Sequence, residues 1–536
     1  VAPGANWLVL GSANGSSTGA APGSVNFSID AGAAAALAPG AYYGTIRVTS
    51  GDVVNSPQDF EVVLNVVPAT EPARPDPQPA GLVFISASGA SSLPPQAVTV
   101  FASSTNSVLY QASAATSDGQ AWLSVSPATG STSASLPAQS NISVNLANLP
   151  PGVYQGGVSF AFSSAAVRTV NVTLIVQPQP GTTPQVAAPR LISHAAPACT
   201  PTMLVPTQTG LVNNFAQPVA WPTPLSIQLF NDCGIAVPDG QVVATFSNGD
   251  PPLPLTMADR SSGIYSGTWT PRSASSQMTI SARATKSGLP AATARITGQV
   301  SPNNAPVLTP HGTLHVFDPL IGGALGPGNI VQIYGANLGG QTLAASTIPL
   351  PTSLGGTSVI IGGIQAPLYF ASPGQINAQV PFELGAGKKY QVLVNANGAL
   401  TTPDTIQLTD VSPGIAAFAS GQIIAQHLDA SLITETAPAK PGEIIVFYLA
   451  GLGQTDNPVA TGAGTPLDRL SRPVDAPVLT LNGNNVPVLF AGLTPGLVGL
   501  YQVNFQVPND APDGDLQLAI VQNGAQSNST ILPVKK

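Results

Sequence analysis

Apolar and polar residues alternate in short runs along most of the chain. Clusters of Gly, Pro, Asn and Ser separate these runs at intervals of roughly 8–12 residues, a spacing typical of β-sandwiches. Strict alternation places one side of a strand in a core and the other in solvent. Clear examples of such runs are Gly44–Ser50, Ala97–Phe101 and Val170–Val176. Since no segment shows a sustained helical period with caps, the pattern predicts an all-β fold with little helix.

The composition supports several β-rich domains rather than one core or a disordered chain. Charged residues make up 7% of the 536 residues, against roughly 25% in an ordinary soluble domain. Gly and Pro number 54 each, and hydrophobic residues reach 43%. The chain therefore has enough apolar surface to fold, and its length exceeds that of one ordinary domain.

Two Pro-rich segments divide the chain, and we expect them to be extended, semi-rigid linkers. They are Val67–Pro79 and Gln177–Pro184, with a weaker boundary at Ser301–Pro306. We therefore predict tandem immunoglobulin-like β-sandwich domains joined by Pro-rich linkers. Their predicted ranges are 1–67, 81–177, 191–300, 305–410 and 411–536.

An internal repeat relates the first two of these domains. Trp7–Ser16 aligns without a gap with Trp122–Ser131, and Leu37–Gly44 aligns with Leu149–Gly156. In physical terms the Trp fills a sandwich core, and the Pro-Gly turn begins the next strand. These motifs resemble the BACON domain family over about residues 81–177, and over 1–67 in part. The resemblance implies an immunoglobulin-like sandwich and an association with carbohydrate binding.

A second repeat relates the last two domains. Pro327–Gly339 aligns with Pro441–Gly453, and Gln375–Pro381 aligns with Gln502–Pro508. These strings resemble an uncharacterised C-terminal module of secreted acidobacterial proteins, which looks like two tandem units of the IPT/TIG type. The resemblance covers roughly 305–536 and implies a β-sandwich fold and a secreted bacterial protein.

The first domain is predicted to be incomplete. About 41 residues, from Gly81 onward, precede Trp122 in the second domain, and they contain three strand-like runs, whereas six residues precede Trp7. About 35 residues, or three strands, are therefore missing from the first sandwich by that comparison. Either the gene product continues upstream, or another subunit supplies the strands by β-strand addition, which would build a filament.

Two cysteines, Cys199 and Cys233, lie 34 positions apart in the predicted middle domain. In an oxidising compartment we expect a disulfide, contributing about 3–4 kcal/mol in the chain-entropy model. The alternative is two buried free thiols. Because the chain begins at Val1 rather than Met, we expect a mature secreted product whose targeting peptide has been removed.

Charge and hydropathy argue against nucleic-acid binding and against a membrane-spanning helix. The net charge is −8, and 16 lysine and arginine residues form no basic patch, so nucleic acid is not an expected partner. No run of 18 apolar residues exists, so no transmembrane helix is expected.

No catalytic or metal-binding motif is found, and we predict a protein that is not an enzyme and holds no cofactor or metal. His311 and His315 lack a third ligand in the sequence pattern, and His194 stands alone. His427 lies near Asp429, but no Gly-x-Ser-x-Gly elbow accompanies them. The acidic residues are scattered, so no carboxylate pair indicates glycoside hydrolysis.

Weak candidates for contact with glycans remain. Tyr42 and Tyr154 could stack on sugars, although aromatic residues beside Pro-Gly turns more often pack in a core. Five asparagines lie in Asn-x-Ser/Thr sequons that could be glycosylated. They are Asn14, Asn26, Asn141, Asn171 and Asn528.

The sequence favours an extracellular structural protein that associates with itself, head to tail, as a filament or surface layer. The motivation is the combination of long β-modules, Pro-rich linkers, few charges and an incomplete first domain. Two alternatives stay open: a secreted adhesin that binds surface glycans, and an accessory region of a larger secreted protein.

Overall fold

The computed structural model describes residues 6–19, 21–87, 90, 92–177 and 199–536. These residues form 42 strands and one five-residue helix, which confirms the predicted all-β class of immunoglobulin-like sandwiches. Two compact units are present: one holds residues 41–64 and 304–536, and the other holds residues 6–40 and 65–303. Most of the second Pro-rich linker, His194 and residues 191–198 of the third predicted domain lie outside the described residues.

We call the described parts of the five predicted domains modules one to five; their boundaries stay a prediction. Module one, residues 6–66, contains four strands in two separate two-stranded ladders, β1 with β2 and β3 with β4. Its elements are β1 Leu8–Leu10, β2 Phe27–Ile29, α1 Ala31–Ala35, β3 Gly40–Val48 and β4 Gln58–Val66. The sequence pattern did not predict α1, which begins where the Asp30 carboxylate accepts a 2.8 Å hydrogen bond from the Ala33 amide.

Module two is a sandwich of two sheets, ordered β10-β8-β12-β13-β6 and β5-β7-β11-β9. Its strands are β5 Asp76–Gln78, β6 Gly81–Ala87, β7 Gln96–Phe101, β8 Val108–Thr116, β9 Leu123–Ser126, β10 Thr129–Thr132, β11 Ala138–Val144, β12 Gly152–Ser163 and β13 Ala166–Gln177. Trp122 lies in the core between the sheets with Phe84 and Phe160. This places the repeated Trp where the sequence predicted it.

The end of the first Pro-rich linker is a strand rather than a free spacer. Asp76, Pro77 and Gln78 pair antiparallel with Phe101, Val100 and Thr99. Proline has no amide hydrogen to donate, and it is tolerated here because β5 lies at the edge of its sheet.

Module three, residues 199–301, has eight strands in the order β14-β16-β19-β18-β17-β20-β21-β15. They are β14 Leu204–Gln208, β15 Phe215–Pro218, β16 Thr223–Asn231, β17 Gln241–Phe246, β18 Leu253–Asp259, β19 Ile264–Trp269, β20 Ser275–Lys286 and β21 Leu289–Ser301. A small apolar cluster of Ile175, Val205 and Phe230 joins this module to module two within their shared unit.

Module four, residues 305–410, packs two sheets around a core that includes Val331, Val359 and Val392. The sheets are ordered β22-β23-β29-β28-β24 and β25-β26-β30-β31, with β27 beside β26 and β32 beside β30. The strands are β22 Val307–His315, β23 Ile330–Ala336, β24 Leu343–Ala344, β25 Ser353–Leu354, β26 Thr357–Ile361, β27 Ile364–Ala366, β28 Leu368–Ala371, β29 Gln375–Gln379, β30 Lys389–Ala396, β31 Ala399–Leu400 and β32 Asp404–Gln407.

Module five, residues 411–536, repeats this plan around Phe447, Tyr501 and Phe505. Its sheets are ordered β33-β35-β39-β38, with β34 beside β35, and β37-β36-β40-β41, with β42 beside β40. The strands are β33 Gly414–Ile415, β34 Ala425–Gln426, β35 Ile444–Ala450, β36 Val478–Leu481, β37 Asn484–Val486, β38 Val488–Leu493, β39 Tyr501–Gln506, β40 Gly514–Gln522, β41 Ala525–Gln526 and β42 Thr530–Val534.

Candidate functional site: the incomplete first module

The β1–β2 ladder of module one follows the β9–β11 ladder of module two pair by pair. Leu8 pairs with Ile29, as Leu123 pairs with Val144. Both ladders are antiparallel and follow the repeated Trp directly. The repeat found in the sequence is therefore a repeat of strand pairing as well.

The hairpin of β3 and β4 corresponds to β12 and β13 in the same way. Gly40 and Gly152 begin the first strand of each hairpin, twelve-residue strands in module two and nine-residue strands in module one. In module two, β12 also pairs with β8, β13 with β6, and β11 with β7. Among the described residues of module one, the corresponding strands β3, β4 and β2 each have one strand neighbour. The described residues of module one therefore contain no strands equivalent to β8, β6 and β7.

Apolar side chains of module one are exposed where their equivalents in module two are buried. Phe27 is 50% exposed, whereas Ile142, at the same ladder position, is 0% exposed. Ile29 is 39% exposed, whereas its equivalent Val144 is 4% exposed. The large exposed apolar residues of this module are Val9, Leu10, Val25, Phe27, Ile29, Val48, Val53, Val54 and Phe60. A ladder with free edges and exposed apolar side chains is suited to pairing with further strands.

The β3–β4 hairpin is held by an ion pair between its strands. The Arg47 guanidinium donates to both carboxylate oxygens of Asp59, at 2.8 and 2.9 Å. This bidentate pair raises the pKa of Arg47, although partial burial acts in the opposite direction. Asp59 is almost fully buried, so the pair fixes β3 to β4 in one geometry.

The same hairpin contacts module four within its unit. The Asp59 amide donates to Gln391 Oε1 at 2.5 Å, and Gln391 Nε2 donates to the Asp59 carbonyl at 3.3 Å. The Thr402 hydroxyl donates to the Glu61 carboxylate at 3.0 Å. Burial raises the pKa of Glu61 to about 8, and the Thr402 hydrogen bond opposes this shift.

The two tyrosines considered for sugar stacking are both half-buried. The Tyr154 ring packs edge-on against Trp122, with 6.2 Å between ring centroids, and its hydroxyl donates to the Pro150 carbonyl at 2.7 Å. The Tyr154 ring therefore takes part in packing against Trp122. Stacking of sugars on Tyr42 and Tyr154 stays a prediction.

The sequon asparagines differ in accessibility. Asn14, Asn26 and Asn141 are exposed. The Asn171 side-chain nitrogen is buried. Asn528 bonds the Ile415 peptide twice, accepting from its amide at 2.7 Å and donating to its carbonyl at 2.9 Å. Three sequons are thus open to modification in the folded chain, while the amide of Asn528 is engaged.

Cys199 and Cys233 form a disulfide, with their Cα atoms 5.8 Å apart. Cys233 is buried, and its carbonyl accepts from Gln177 Nε2 at 2.6 Å. The bridge therefore ties the start of module three to a loop that also contacts the last strand of module two.

Two histidines, His315 and His427, have structural partners. His315 is buried, and its Nδ1 accepts from the amides of Phe317 and Asp318, both at 3.0 Å. His427 Nδ1 lies 2.5 Å from Glu443 Oε1, so the histidine pairs with a carboxylate rather than with a nucleophile. Across the described ranges, no group of three or more His, Cys, Asp or Glu side chains is placed to hold a metal.

An open cavity of about 700 Å³ lies beside module two within its unit. Its polar lining includes Arg168, Asn214, Gln277 and Gln299. Amide and guanidinium groups of this kind can hydrogen-bond the hydroxyls of a sugar.

Comparison with known proteins supports the BACON resemblance in one part of the chain. Residues 79–174 match the family model of the viral BACON domain. No curated protein matches this chain in sequence. The resemblance of residues 305–536 to an acidobacterial module and to IPT/TIG units stays a prediction.

Many solved structures of β-sandwich proteins are similar to this chain. One is a Bacteroides ovatus mixed-linkage glucan utilization locus protein, SGBP-B, in complex with a mixed-linkage heptasaccharide; identity is 12%, the TM-score is 0.26, and 66% of this chain and 71% of that chain are covered. The periplasmic chaperone SfaE has 12% identity, a TM-score of 0.18, and coverage of 42% and 100%. The I9–I11 tandem of titin has 7% identity, a TM-score of 0.14, and coverage of 60% and 95%. At these values none of the likenesses carries a functional inference.

Proposed function

We propose that this protein is a non-enzymatic extracellular structural subunit that assembles head to tail, with a neighbouring copy adding β-strands to module one. The observation that carries the proposal is the contrast between equivalent ladder positions. Phe27 is half exposed, whereas Ile142 is fully buried in the core of module two. A neighbour that supplies those strands would bury the exposed apolar face and add backbone pairing beside β2.

The pairing of module two defines what must be added. One strand would lie antiparallel beside β2, as β7 lies beside β11 in module two. At β4 the Gln391 side chain already bonds the Asp59 peptide. Backbone hydrogen bonds would provide affinity, and alternating apolar side chains would provide specificity. Because donor and acceptor lie at different places on the chain, such a contact does not close on itself and extends into a filament.

An extracellular location is part of the proposal. The Cys199–Cys233 disulfide is typical of oxidising compartments. No helix in the described part of the chain has the length and apolar character that a membrane span requires.

Supplying the strands in cis tests the proposal. A second copy of residues 81–116 is fused to Ala2, so that six positions separate the appended Thr116 from Trp7, as they separate Thr116 from Trp122 in module two. We expect the wild type to form filaments in negative-stain electron microscopy and to sediment as a distribution of polymers. The self-complemented variant should sediment as a monomer.

The matched control carries Val98→Asp and Val100→Asp in the appended segment. Both valines are fully buried in module two, so the altered segment should not complete module one, and filaments should form. Filaments that persist with the unaltered fusion would exclude strand addition. If the wild type is a monomer, and residues of a longer gene product complete its module one, assembly through this module is excluded.

Glycan binding is a second candidate, favoured by the match of residues 79–174 to the BACON domain and by the adjoining cavity. Arg168, Gln277 and Gln299 would contact the hydroxyls of a bound sugar. Glycan-array binding by the full chain should fall in Gln299→Ala and stay unchanged in the control Gln155→Ala, which alters an exposed residue of β12. If both variants bind glycans equally well, the cavity beside module two is not the glycan site.

A further inference from the structure

Module five brings three lysines together beside an open cavity of about 570 Å³. They are Lys440, Lys535 and Lys536, three of the six lysines in the chain. Val534, the last residue of β42, pairs with Ala439 in a parallel bridge, and the Lys535 amide donates to the Ala439 carbonyl at 2.9 Å. Backbone pairing therefore places Lys440 and Lys535 side by side, although they are far apart in the sequence.

The two carboxylates of the cavity lining are already bonded within the protein. Asp429 accepts from the Ser431 amide at 3.0 Å and from the Ser431 hydroxyl. Glu443 is held between His427 Nδ1, at 2.5 Å, and the Lys440 amide, at 2.9 Å. Asp429 and Glu443 therefore fix the backbone and the imidazole at the rim of the cavity.

The side chains of the three lysines are exposed and lack a counterion in the protein. Lys286 of module three is paired with Asp239 at 2.6 Å. None of the three cavity lysines forms such a pair with a carboxylate in the described part of the chain. Like charges held close together repel one another, and a bound anion relieves that repulsion. The cavity is thus a local positive surface on a chain whose net charge is −8.

The size and lining of the cavity indicate the class of anion. Pockets for small ligands have volumes of roughly 300–1,000 Å³, so this cavity exceeds what a simple inorganic anion fills. Three lysines are too few to neutralise a run of nucleic-acid phosphates. Ser431 and Thr436 supply hydroxyl groups to the lining, and Leu428 and Pro438 supply apolar surface. Acidic sugars present the matching groups, which are carboxylates, hydroxyls and an apolar C–H face.

We infer that this cavity of module five binds an acidic oligosaccharide, whose carboxylates pair with Lys440, Lys535 and Lys536. Each lysine ammonium has three donors and can bond a carboxylate and a hydroxyl oxygen at once. The inference does not rest on head-to-tail assembly. It also concerns a different module and different residues from the cavity that contains Gln299.

Equilibrium dialysis of the full chain against trigalacturonate, labelled with a fluorophore at its reducing end, tests the inference. We expect saturable binding that weakens as salt is added. The double variant Lys440→Gln with Lys535→Gln should bind about tenfold more weakly, the size expected for the loss of two exposed ion pairs. The matched control is Lys388→Gln with Lys389→Gln, which removes two exposed lysines of module four and changes the net charge equally. It should bind as the wild type does.

Three further measurements define the ligand and the site. Methyl-esterified trigalacturonate, which has no charge, should not bind. Inorganic phosphate should displace trigalacturonate only at a much higher concentration. Gln299→Ala should bind trigalacturonate as the wild type does, which separates this site from the cavity beside module two.

The inference is overturned if the wild type does not bind trigalacturonate or if both double variants lose the same affinity. Equally tight binding of the methyl ester, or loss of binding in Gln299→Ala, overturns it as well. Displacement by phosphate at the same concentration as trigalacturonate itself would identify a simple anion site and overturn the assignment to a sugar.

Discussion

The backbone amide of Asp30 donates a 2.8 Å hydrogen bond to the carbonyl of Trp7. Asn145 donates to Trp122 at the equivalent place in module two, at 2.7 Å. The bond closes the β1–β2 ladder directly after the repeated Trp, just as it closes the β9–β11 ladder. The β1–β2 ladder thus has the local geometry of the β9–β11 ladder in the complete sandwich.

Truncation of equivalent ladder residues should have opposite consequences. Ile142→Ala should lower the free energy of unfolding of module two by about 2–5 kcal/mol, because it leaves a cavity in a packed core. Phe27→Ala should change monomer stability by less than about 1 kcal/mol and weaken assembly, because Phe27 is half exposed. Urea titration and sedimentation velocity measure the two effects. A large loss of monomer stability in Phe27→Ala would show that this residue is already packed.

Docking of the hairpin on module four should depend on pH through Glu61. Its pKa is about 8 in the docked hairpin against an ordinary 4.5, so the docked state binds a proton that the free hairpin releases. Docking is then strongest in acid and weakens as the pH rises from about 4.5 to about 8. We expect the protection of the β3–β4 hairpin against hydrogen exchange, corrected for the intrinsic effect of pH on exchange, to fall about tenfold or more over this interval.

The variant Glu61→Gln tests whether the pH dependence of docking comes from the Glu61 carboxyl. It keeps the shape of the side chain but has no proton to lose, so docking should become independent of pH in this interval. Asp513→Asn, which changes an exposed carboxylate of module five, serves as the control and should keep the wild-type dependence. A wild-type hairpin that docks more tightly as the pH rises would contradict the assignment.

The sequence predicted the parts of the fold that depend on local pattern. Alternation indicated strands, and the repeated Trp and Pro-Gly turns indicated equivalent sandwiches. Helix α1 was missed because five residues rich in Ala show no helical period, and its start depends on the Asp30 side chain. Strand β5 was missed because a Pro-rich run favours an extended linker, and such a run is equally suited to a sheet edge.

The candidate site was predicted only in part. Counting residues before Trp7 and Trp122 indicated missing strands, because the second copy of the repeat shows how many residues precede the Trp in a complete domain. The partners of β4 could not be found this way. Gln391 and Thr402 lie more than 300 positions from Asp59 and Glu61, and no local pattern marks a side-chain amide that will bond a distant peptide.

Loss of the disulfide should destabilise module three selectively. Cys199→Ser with Cys233→Ser opens a loop of 34 positions, and the chain-entropy model gives a loss of about 3–4 kcal/mol. Calorimetry of the full chain should show one transition moving to lower temperature. The transition of module five, which has no cysteine, should stay in place. An unchanged transition temperature of module three would mean that the disulfide contributes little to its stability.

Sequon use should follow accessibility in the folded chain. When the chain is expressed in a host that glycosylates Asn-x-Ser/Thr sites, peptide mapping should find sugar on Asn14, Asn26 and Asn141, which are exposed. Asn528 should be occupied least, because its amide bonds the Ile415 peptide at 2.7 and 2.9 Å. High occupancy at Asn528 would show that modification precedes the folding of module five.

His427 should titrate above the ordinary histidine range because it is paired with Glu443. Burial lowers its pKa, but the hydrogen bonds to Glu443 and the Ala437 carbonyl and the nearby carboxylate charges outweigh burial and raise it. Stability from the charged pair is therefore full below about pH 6.5 and is lost as the pH rises through the higher folded pKa. His315 provides a contrast within the chain, because burial lowers its pKa to about 4.

A proton–carbon NMR titration of the histidine rings measures both values, with the His427 signal assigned through His427→Asn. Glu443→Gln should lower the midpoint of His427 and leave His315 unchanged. The effect on stability should stay below about 1 kcal/mol, as is usual for pairs near the surface. A His427 midpoint that does not move in Glu443→Gln would show that the pair is not formed in solution.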